Sequence, residues 1–371
     1  MTPTPPVATV LIVGASTRAA ASSAARAGLS PRCLDLFADA DLVALAPVDR
    51  FDPDRDADGL ERLAAASPCD AWLYTGSMEA RPDLVERLSR VAPLLGSSAD
   101  VLRRIRDPWA IAEALRAEGL ATPRLAATAP AAGRWLAKST ATAGGLGARW
   151  ADAPGEVPPT HFQEFIDGPT FSALFVAADG RSRLVGVARQ FPGVPGATFL
   201  YRGGVAPWPV AASAEDELRR IGATLARRFE PVGLFGVDFV LADGRPWVLE
   251  VNPRYTASSE LFEYASGRSL MRDHIRACLD REIGEEADVG GDCVGKQILY
   301  ARSRLTFPAI APPPFAGHFR EPPFADVPRP GTVIEPGEPI LTVFARGRSP
   351  EGCLAELDRR EAAWGEMLVC R

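Results

Sequence analysis

Histidine and cysteine are scarce in this sequence of 371 residues, which contains three histidines and six cysteines. No HxH or CxxC spacing occurs, so the sequence does not predict a zinc site. It also offers no case for a Ser-His-Asp or Cys-His catalytic site. The scattered cysteines indicate reduced thiols, as in a cytosolic protein, rather than a disulfide framework. The residues concerned are His161, His274, His318, Cys33, Cys69, Cys278, Cys293, Cys353 and Cys370.

Long basic runs and long apolar runs are also absent. The net charge is −6 and no basic cluster stands out, so a nucleic-acid partner is not expected. No apolar run approaches the length that spans a bilayer. The opening Met-Thr-Pro-Thr-Pro-Pro lacks the basic region of a signal peptide. We therefore expect a cytoplasmic protein with neither nucleic-acid nor membrane partners.

The N-terminal part of the chain has an α/β pattern. Residues 7–13 form a continuous apolar run, which is typical of a buried parallel strand. A glycine turn and an alanine-rich helix follow, and further strands are predicted at 33–37, 71–76 and 94–96. The first turn lacks the full GxGxxG fingerprint, so a dinucleotide site is not predicted. Together these elements predict a small doubly wound domain over residues 1–98.

A β-hairpin with polar residues on one face is predicted later in the chain. Asp243-Gly244 is a strong hairpin turn signal between two strands of alternating pattern. The turn brings Asp238 beside Glu250, and Asn252 lies on the same face as Glu250. Carboxylate and amide oxygens are ligands that Mg²⁺ prefers. The alternative is a surface hairpin with solvated acids.

A basic residue and a glycine-rich loop precede this hairpin. Lys138 ends a predicted strand, and the loop 139–147 carries three glycines whose amides can surround phosphate oxygens. A flexible turn is the alternative interpretation. Arg202, in the predicted Gly/Pro-rich loop 190–209, is a catalytic candidate because such long loops are often functional. Substrate contacts are expected from the loops at 14–18, 75–79, 190–204 and 255–260.

Taken in order, these features resemble the ATP-grasp superfamily, the fold of biotin carboxylase and D-alanine–D-alanine ligase. The resemblance covers roughly residues 1–280 and implies two α+β lobes that clamp ATP with Mg²⁺ (or Mn²⁺). It implies that Asp238, Glu250 and Asn252 are the metal ligands. It also implies that Arg254 faces the acyl phosphate or the incoming carboxylate.

The same resemblance implies the nucleotide contacts. Lys138 would bind phosphate oxygens beneath a lid of three glycines, and a later segment would hydrogen-bond the adenine edge. Arg106 substitutes for a lysine that the family has before the first helix of the ATP lobe. Thr170 stands where the family often has an acidic residue that contacts the ribose. The lid glycines are Gly144, Gly145 and Gly147, and the adenine segment comprises Gln163, Glu164, Phe165 and Ile166.

The predicted fold class is mixed α/β and α+β, in three parts. A pre-ATP-grasp α/β domain occupies residues 1–98, and an ATP-grasp domain occupies residues 99–283. The small lobe of the second is expected at about 123–166 and the large lobe at about 167–283. A β-rich C-terminal region follows at 284–371.

The function expected from the resemblance is an ATP-dependent carboxylate–amine (or carboxylate–thiol) ligase that forms an acyl phosphate. Its partners would be a small carboxylate and a small amine, and a homodimer is the prior expectation. Residues 326–337 are similar to predicted ATP-grasp ligases of methanogens and methylotrophs, which suggests biosynthesis of a methanopterin- or methanofuran-type cofactor. The alternatives are biotin-carboxylase-like activation of bicarbonate and a nucleotide-binding regulatory protein without turnover.

Overall fold

A parallel four-stranded sheet forms the N-terminal part of the computed structural model, which describes residues 7–142, 144–155, 158–194, 196–285 and 291–369. The strand order is β3-β2-β1-β4, and every pair is parallel. The predicted strand at 94–96 is instead a single bridge between Leu94 and Trp72. The elements are β1 (Thr9–Gly14), α1 (Arg18–Arg26), β2 (Ser30–Asp35), α2 (Ala40–Leu45), β3 (Val48–Arg50), α3 (Leu60–Ala65), β4 (Ala71–Tyr74) and α4 (Pro82–Leu88).

Two capped helices connect this sheet to the rest of the molecule. They are α5 (Ala99–Ile105) and α6 (Pro108–Ala117). The Asp107 side chain accepts the backbone N–H of Trp109 at 2.9 Å, and Pro108 occupies the first turn, where no N–H is needed. The cap at Asp107 therefore fixes the start of α6.

A small antiparallel sheet follows, with the order β5-β8-β6-β7. Its strands are β5 (Leu125–Ala126), β6 (Trp135–Lys138), β7 (Arg149–Trp150) and β8 (His161–Glu164). The predicted strands that carry Lys138 and Gln163 are confirmed as β6 and β8, which are direct neighbours.

The largest sheet has eight strands in the order β13-β12-β9-β10-β11-β14-β18-β16, and β15 pairs with β17 outside it. Strands β14, β18 and β16 lie beyond residue 284, so the sheet continues across the predicted boundary of the C-terminal region. The strands are β9 (Thr170–Ala178), β10 (Arg181–Val194), β11 (Ala197–Ala206), β12 (Gly233–Ala242), β13 (Arg245–Asn252), β14 (Cys293–Tyr300), β15 (Leu305–Thr306), β16 (Phe324–Ala325), β17 (Val333–Ile334) and β18 (Pro339–Gly347).

Helices cover this sheet and bury its apolar faces. Leu218 and Ile221 on α7 pack in a core with Phe175 and Phe235, whose rings stack at 4.9 Å between centroids. Among the described residues, no helix combines the length and the apolar character needed to cross a bilayer. The helices are α7 (Ala212–Phe229), α8 (Ser259–Ser266), α9 (Leu270–Leu279) and α10 (Pro350–Val369).

The prediction of a loop at 190–209 is wrong, because most of this segment belongs to β10 and β11. Its glycines permit close strand packing rather than a free loop. A Cβ on Gly203 would lie 2.2 Å from the carbonyl oxygen of Lys296 on β14, and a Cβ on Gly204 would lie 2.5 Å from that of Arg189 on β10. The glycines therefore allow β11 to sit between two strands.

Acid will destabilise the protein through the buried His274. Its Nδ1 accepts the N–H of Leu234 at 2.9 Å, and its Nε2 lies 3.2 Å from the carbonyl oxygen of Leu95. Burial lowers the pKa of His274 from 6.5 to about 4, so between these values only the unfolded chain binds the proton. The free energy of unfolding should fall by roughly 2 kcal/mol between pH 7 and pH 5 through this group. Urea midpoints at both pH values measure the fall. His274→Gln should reduce it, whereas His318→Gln, at an exposed position, should leave it unchanged.

Candidate active site

The β12–β13 hairpin places two carboxylates opposite each other. Asp238 and Glu250 are register partners, as the sequence predicts. Asn252 donates from Nδ2 to Oδ2 of Asp238 at 2.9 Å, and Gln190 on β10 donates from Nε2 to Oδ1 at the same distance. In the described parts of the chain, no three His, Cys, Asp or Glu side chains converge as a metal site. This face therefore offers carboxylate oxygens from Asp238 and Glu250 and amide oxygens from Asn252 and Gln190.

The two carboxylates have opposite electrostatic environments. Burial, together with the negative charge of Glu250, raises the pKa of Asp238 to about 7. Burial also raises the pKa of Glu250, but the positive charges of Lys138 and Arg106 outweigh it and lower this pKa to about 2. A cation bound between the two would favour the ionised form of Asp238.

The small sheet contributes a cation and an amide to the same place. Nζ of Lys138 lies 3.2 Å from Oε2 of Glu250 and 3.4 Å from Oε1 of Gln163. Gln163 also donates to the carbonyl oxygen of Leu249 at 3.1 Å, so β8 is fastened to β13. These residues line a pocket that has apolar walls at Ile105 and Val248 among others. The pocket thus has an apolar part and a charged end.

The glycine-rich loop lies against β11. Tyr201 donates its backbone N–H to the carbonyl oxygen of Gly144 at 3.1 Å. Gly145 has a φ of +85°, and a Cβ there would lie 2.0 Å from the carbonyl oxygen of Phe199, so only glycine fits. Arg106 donates to the carbonyl oxygens of Thr140 and Thr142, at 2.8 and 3.1 Å. The loop is therefore held from both sides.

Residues 105–258, which carry all of these groups, match the family model of the ATP-grasp domain. The chain contains an ATP-grasp domain.

Curated relatives align with part of this chain. An uncharacterized protein from Methanocaldococcus jannaschii is 26% identical over 188 residues, which is 51% of this chain and 43% of that protein. The large chain of carbamoyl phosphate synthase from Neisseria gonorrhoeae is 32% identical over 107 residues, which is 28% of this chain and 9% of that protein. The chain thus spans less than half the length of either relative.

Solved structures resemble the fold over nearly the whole chain. The biotin carboxylase domain of 2-oxoglutarate carboxylase from Hydrogenobacter thermophilus, solved with MgADP and bicarbonate, has a TM-score of 0.73 at 13% identity and covers 95% of this chain and 88% of that one. L-amino acid ligase from Bacillus licheniformis has a TM-score of 0.69 at 17% identity, with 96% and 97% covered. At these identities the likeness establishes the fold alone.

Arg254 of the ATP-grasp domain joins the site, whereas Arg202 lies outside it. Arg254 donates from Nη2 to Oδ1 of Asn252 at 3.3 Å and from Nε to Oε1 of Glu79 at 2.6 Å. Arg202 instead pairs with Glu361 on α10, at 3.0 Å. The pairing of β10 with β11 is irregular at this point, and Arg202 is not among the residues that line the pocket beside Glu250. The predicted catalytic role of Arg202 therefore has no support in the geometry.

The predicted adenine segment is brought only partly to the pocket. Of its four residues, Gln163 lines the pocket. Glu164 is paired with Arg124, with Nη2 and Oε1 2.7 Å apart, and Phe165 packs its ring against Trp150 at 4.9 Å. Ile166 is half-buried in the connection to β9. Their contacts with adenine stay a prediction. The contact of Gly147 with the phosphates also stays a prediction, and its position leaves no room for a Cβ beside Thr142.

Sequence reasoning missed three residues near Asp238, Asn252 and Arg254. Gln190 donates a hydrogen bond to Asp238, and Glu79 accepts one from Arg254. Burial raises the pKa of the Tyr201 phenol, and the nearby charges of Glu260 and Asp238 raise it further. Reading β11 as a strand would have placed Tyr201 on the face opposite Arg202. Glu79 comes from the predicted substrate loop at 75–79, but its partner is 175 residues away.

Proposed function

We propose that this protein is an ATP-dependent carboxylate–amine ligase that uses Mg²⁺ and forms an acyl phosphate. The observation that carries the proposal is the paired Asp238 and Glu250 of an ATP-grasp domain, with Lys138 3.2 Å from Glu250. The family match and the MgADP bound by the similar biotin carboxylase domain support ATP and Mg²⁺.

The metal face fits a hard divalent cation. Asp238, Glu250 and Asn252 would hold it through oxygen atoms, which are the ligands that such a cation prefers. When bound, Mg²⁺ neutralises charge on the phosphate oxygens.

The other side chains have distinct tasks in this proposal. Lys138 binds phosphate oxygens, and the amides of the glycine-rich loop cover them. The substrate carboxylate attacks the γ-phosphorus and ADP leaves. The amine then attacks the acyl carbon, phosphate leaves, and the amine loses a proton, which yields an amide. Arg254 holds the carboxylate and its acyl phosphate. A thiol in place of the amine would yield a thioester.

Bicarbonate activation is a weaker candidate. The similar biotin carboxylase domain favours it by fold. By the resemblance, however, biotin carboxylase has an acidic base eight positions after the residue that matches Glu250, and this chain has Ser258 there. Ser258 is buried, with its Oγ 3.0 Å from Oγ1 of Thr256. A role in one-carbon cofactor biosynthesis depends only on the similarity of residues 326–337 to ligases of methanogens and methylotrophs.

Thermal melting with ATP alone, Mg²⁺ alone and both together tests the proposal. A ligand that binds only the folded state raises the melting temperature. We expect a large increase that requires both ligands, followed by ADP release when a matching acid and amine are supplied. Absence of any increase with ATP and Mg²⁺ would contradict the proposed nucleotide site.

Lys138→Ala should weaken ATP binding by about tenfold or more, because a charged hydrogen bond is worth roughly 1.5–3 kcal/mol. Lys138→Arg keeps the charge and should lose less affinity. Isothermal titration with MgATP measures both variants. If Lys138→Ala binds MgATP as tightly as the wild-type protein does, Lys138 does not contact the phosphates.

A further inference from the structure

The turn after β4 contains unusual buried polar atoms. Ser77 has a φ of +80°, a conformation that non-glycine residues rarely adopt. Its Oγ is buried without a hydrogen-bond partner, and so is Oε2 of Glu79, a residue that is 1% exposed. Buried polar groups are nearly always paired, and strained backbone is typical of binding sites. The turn at 75–79 therefore carries two features that indicate an absent hydrogen-bonding partner.

The turn lies at the position where open α/β sheets bind ligands. The strand order is β3-β2-β1-β4, so successive strands are added to one side of β1 up to β3 and to its other side at β4. In open α/β sheets, ligands bind at the carboxyl ends of the strands at such a switch point. Ala15 after β1 donates its N–H to the carbonyl oxygen of Gly76 at 3.0 Å, which joins the two loops. The crevice is thus framed by loops from both central strands.

Glu79 connects this crevice to the nucleotide pocket. Its Oε1 accepts from Arg254 at 2.6 Å and lies 3.8 Å from Nη1 of Arg106. Glu79 also lines an open cleft together with Trp109 and Thr140. Arg106 and Thr140 line both this cleft and the nucleotide pocket, so the two spaces adjoin. A molecule in the cleft would lie beside the proposed site of acyl transfer.

Only one carboxylate oxygen of Glu79 is paired with Arg254, fewer than expected if Glu79 served only to position that arginine. An arginine and a carboxylate that only fix each other commonly pair through both oxygens. Here Arg254 uses one oxygen, and among the described residues the other has no partner. A carboxylate oxygen accepts hydrogen bonds only, so its missing partner is a donor.

We propose that Glu79 binds the amino group of the acceptor substrate, with the cleft beside Trp109 receiving the rest of that molecule. This inference deepens the proposed ligase function and rests on it for the role of the amine. It assigns the acceptor class as a primary amine and excludes an anionic acceptor at this oxygen.

The test uses n-propylamine as the probe, with n-propanol and propionate as isosteric controls, on the full chain with and without MgADP. Ligand-observed NMR titrations measure the affinities. We expect the wild-type protein to bind propylamine and to discriminate against both controls. Glu79→Gln should weaken propylamine binding about tenfold or more, whereas Glu61→Gln, a carboxylate of α3, should not change it. Equal binding of propylamine and propanol, or undiminished binding by Glu79→Gln, would overturn the proposal.

Two further measurements keep the test decisive. If Glu79→Gln does not fold, the indole N–H signal of Trp109, assigned with Trp109→Phe, should shift in the wild-type protein with propylamine and not with propanol. An unmoved signal would place any amine site elsewhere and refute the proposal. The melting shift with MgATP is measured in parallel. If MgATP does not raise the melting temperature of the wild-type protein, the ligase function is contradicted. If MgATP raises it but the protein does not distinguish propylamine from the controls, only the amine site is contradicted.

Discussion

Glu250→Gln should abolish the Mg²⁺-dependent part of the ATP-induced melting shift and lower turnover by on the order of 10²–10³-fold or more. The substitution keeps the shape of the side chain but removes the charge that Lys138 and a bound cation share. Glu250 is paired with Lys138 at 3.2 Å and opposes Asp238 in register. The variant should fold, because an amide can still accept a hydrogen bond from Lys138 and the hairpin ladder is unchanged.

Asp243→Asn is the matched control for this experiment. Asp243 lies in the exposed turn of the same hairpin, with a φ of +52° that asparagine tolerates. The substitution removes one carboxylate from the hairpin but leaves Asp238, Glu250 and Asn252 unchanged. The variant should therefore retain the full melting shift with ATP and Mg²⁺. If Glu250→Gln retains that shift as well, Glu250 is not a metal ligand.

Arg18→Met should lower the free energy of unfolding by about 3–5 kcal/mol, because it leaves buried carboxylates without their cation. Nη1 of Arg18 lies 2.6 Å from Glu260, and its Nε lies 2.9 Å from Asp326. The Glu260 side chain is fully buried, and its remaining cation is Lys296, at 2.7 Å. Arg18 comes from the N-terminal domain, Glu260 from α8 and Asp326 from the C-terminal region, so one substitution weakens the junction of three parts.

Denaturant midpoints and melting temperatures at pH 7 measure this effect. Arg90→Met is the control, because Arg90 is 72% exposed and pairs with Glu86 on the surface. Exposed ion pairs contribute roughly 0–1 kcal/mol, so the control should melt near the wild-type temperature. If the free energy of unfolding falls by the same small amount in both variants, the contacts of Arg18 with Glu260 and Asp326 add little to stability.

The metal face could be predicted from the sequence because its geometry is local. Alternation along β12 and β13 and the Asp-Gly turn fix which residues oppose each other, so Asp238 and Glu250 are paired as expected. The strand that ends at Lys138 is local in the same sense. Each depends on a few neighbouring residues and on backbone preferences that tertiary contacts did not override.

Other features depend on pairings between distant segments. The Gly/Pro-rich composition of residues 190–209 predicts a loop around Arg202, whereas strand packing against Lys296 and Arg189 requires the small size of Gly203 and Gly204. On β11, Arg202 pairs with Glu361 of α10, a partner 159 residues away. The continuation of the large sheet into β14 and β18 likewise depends on register between strands that the sequence does not specify.

The sequence by itself determined the family resemblance, the hairpin with Asp238 and Glu250, and the strand that carries Lys138. Only the tertiary structure decided that Lys138 meets Glu250, 112 residues later, and that Glu79 meets Arg254. The physical reason is that side-chain periodicity and turn chemistry act over a few residues. A contact between domains depends instead on how whole surfaces pack, and it leaves no mark at either position alone.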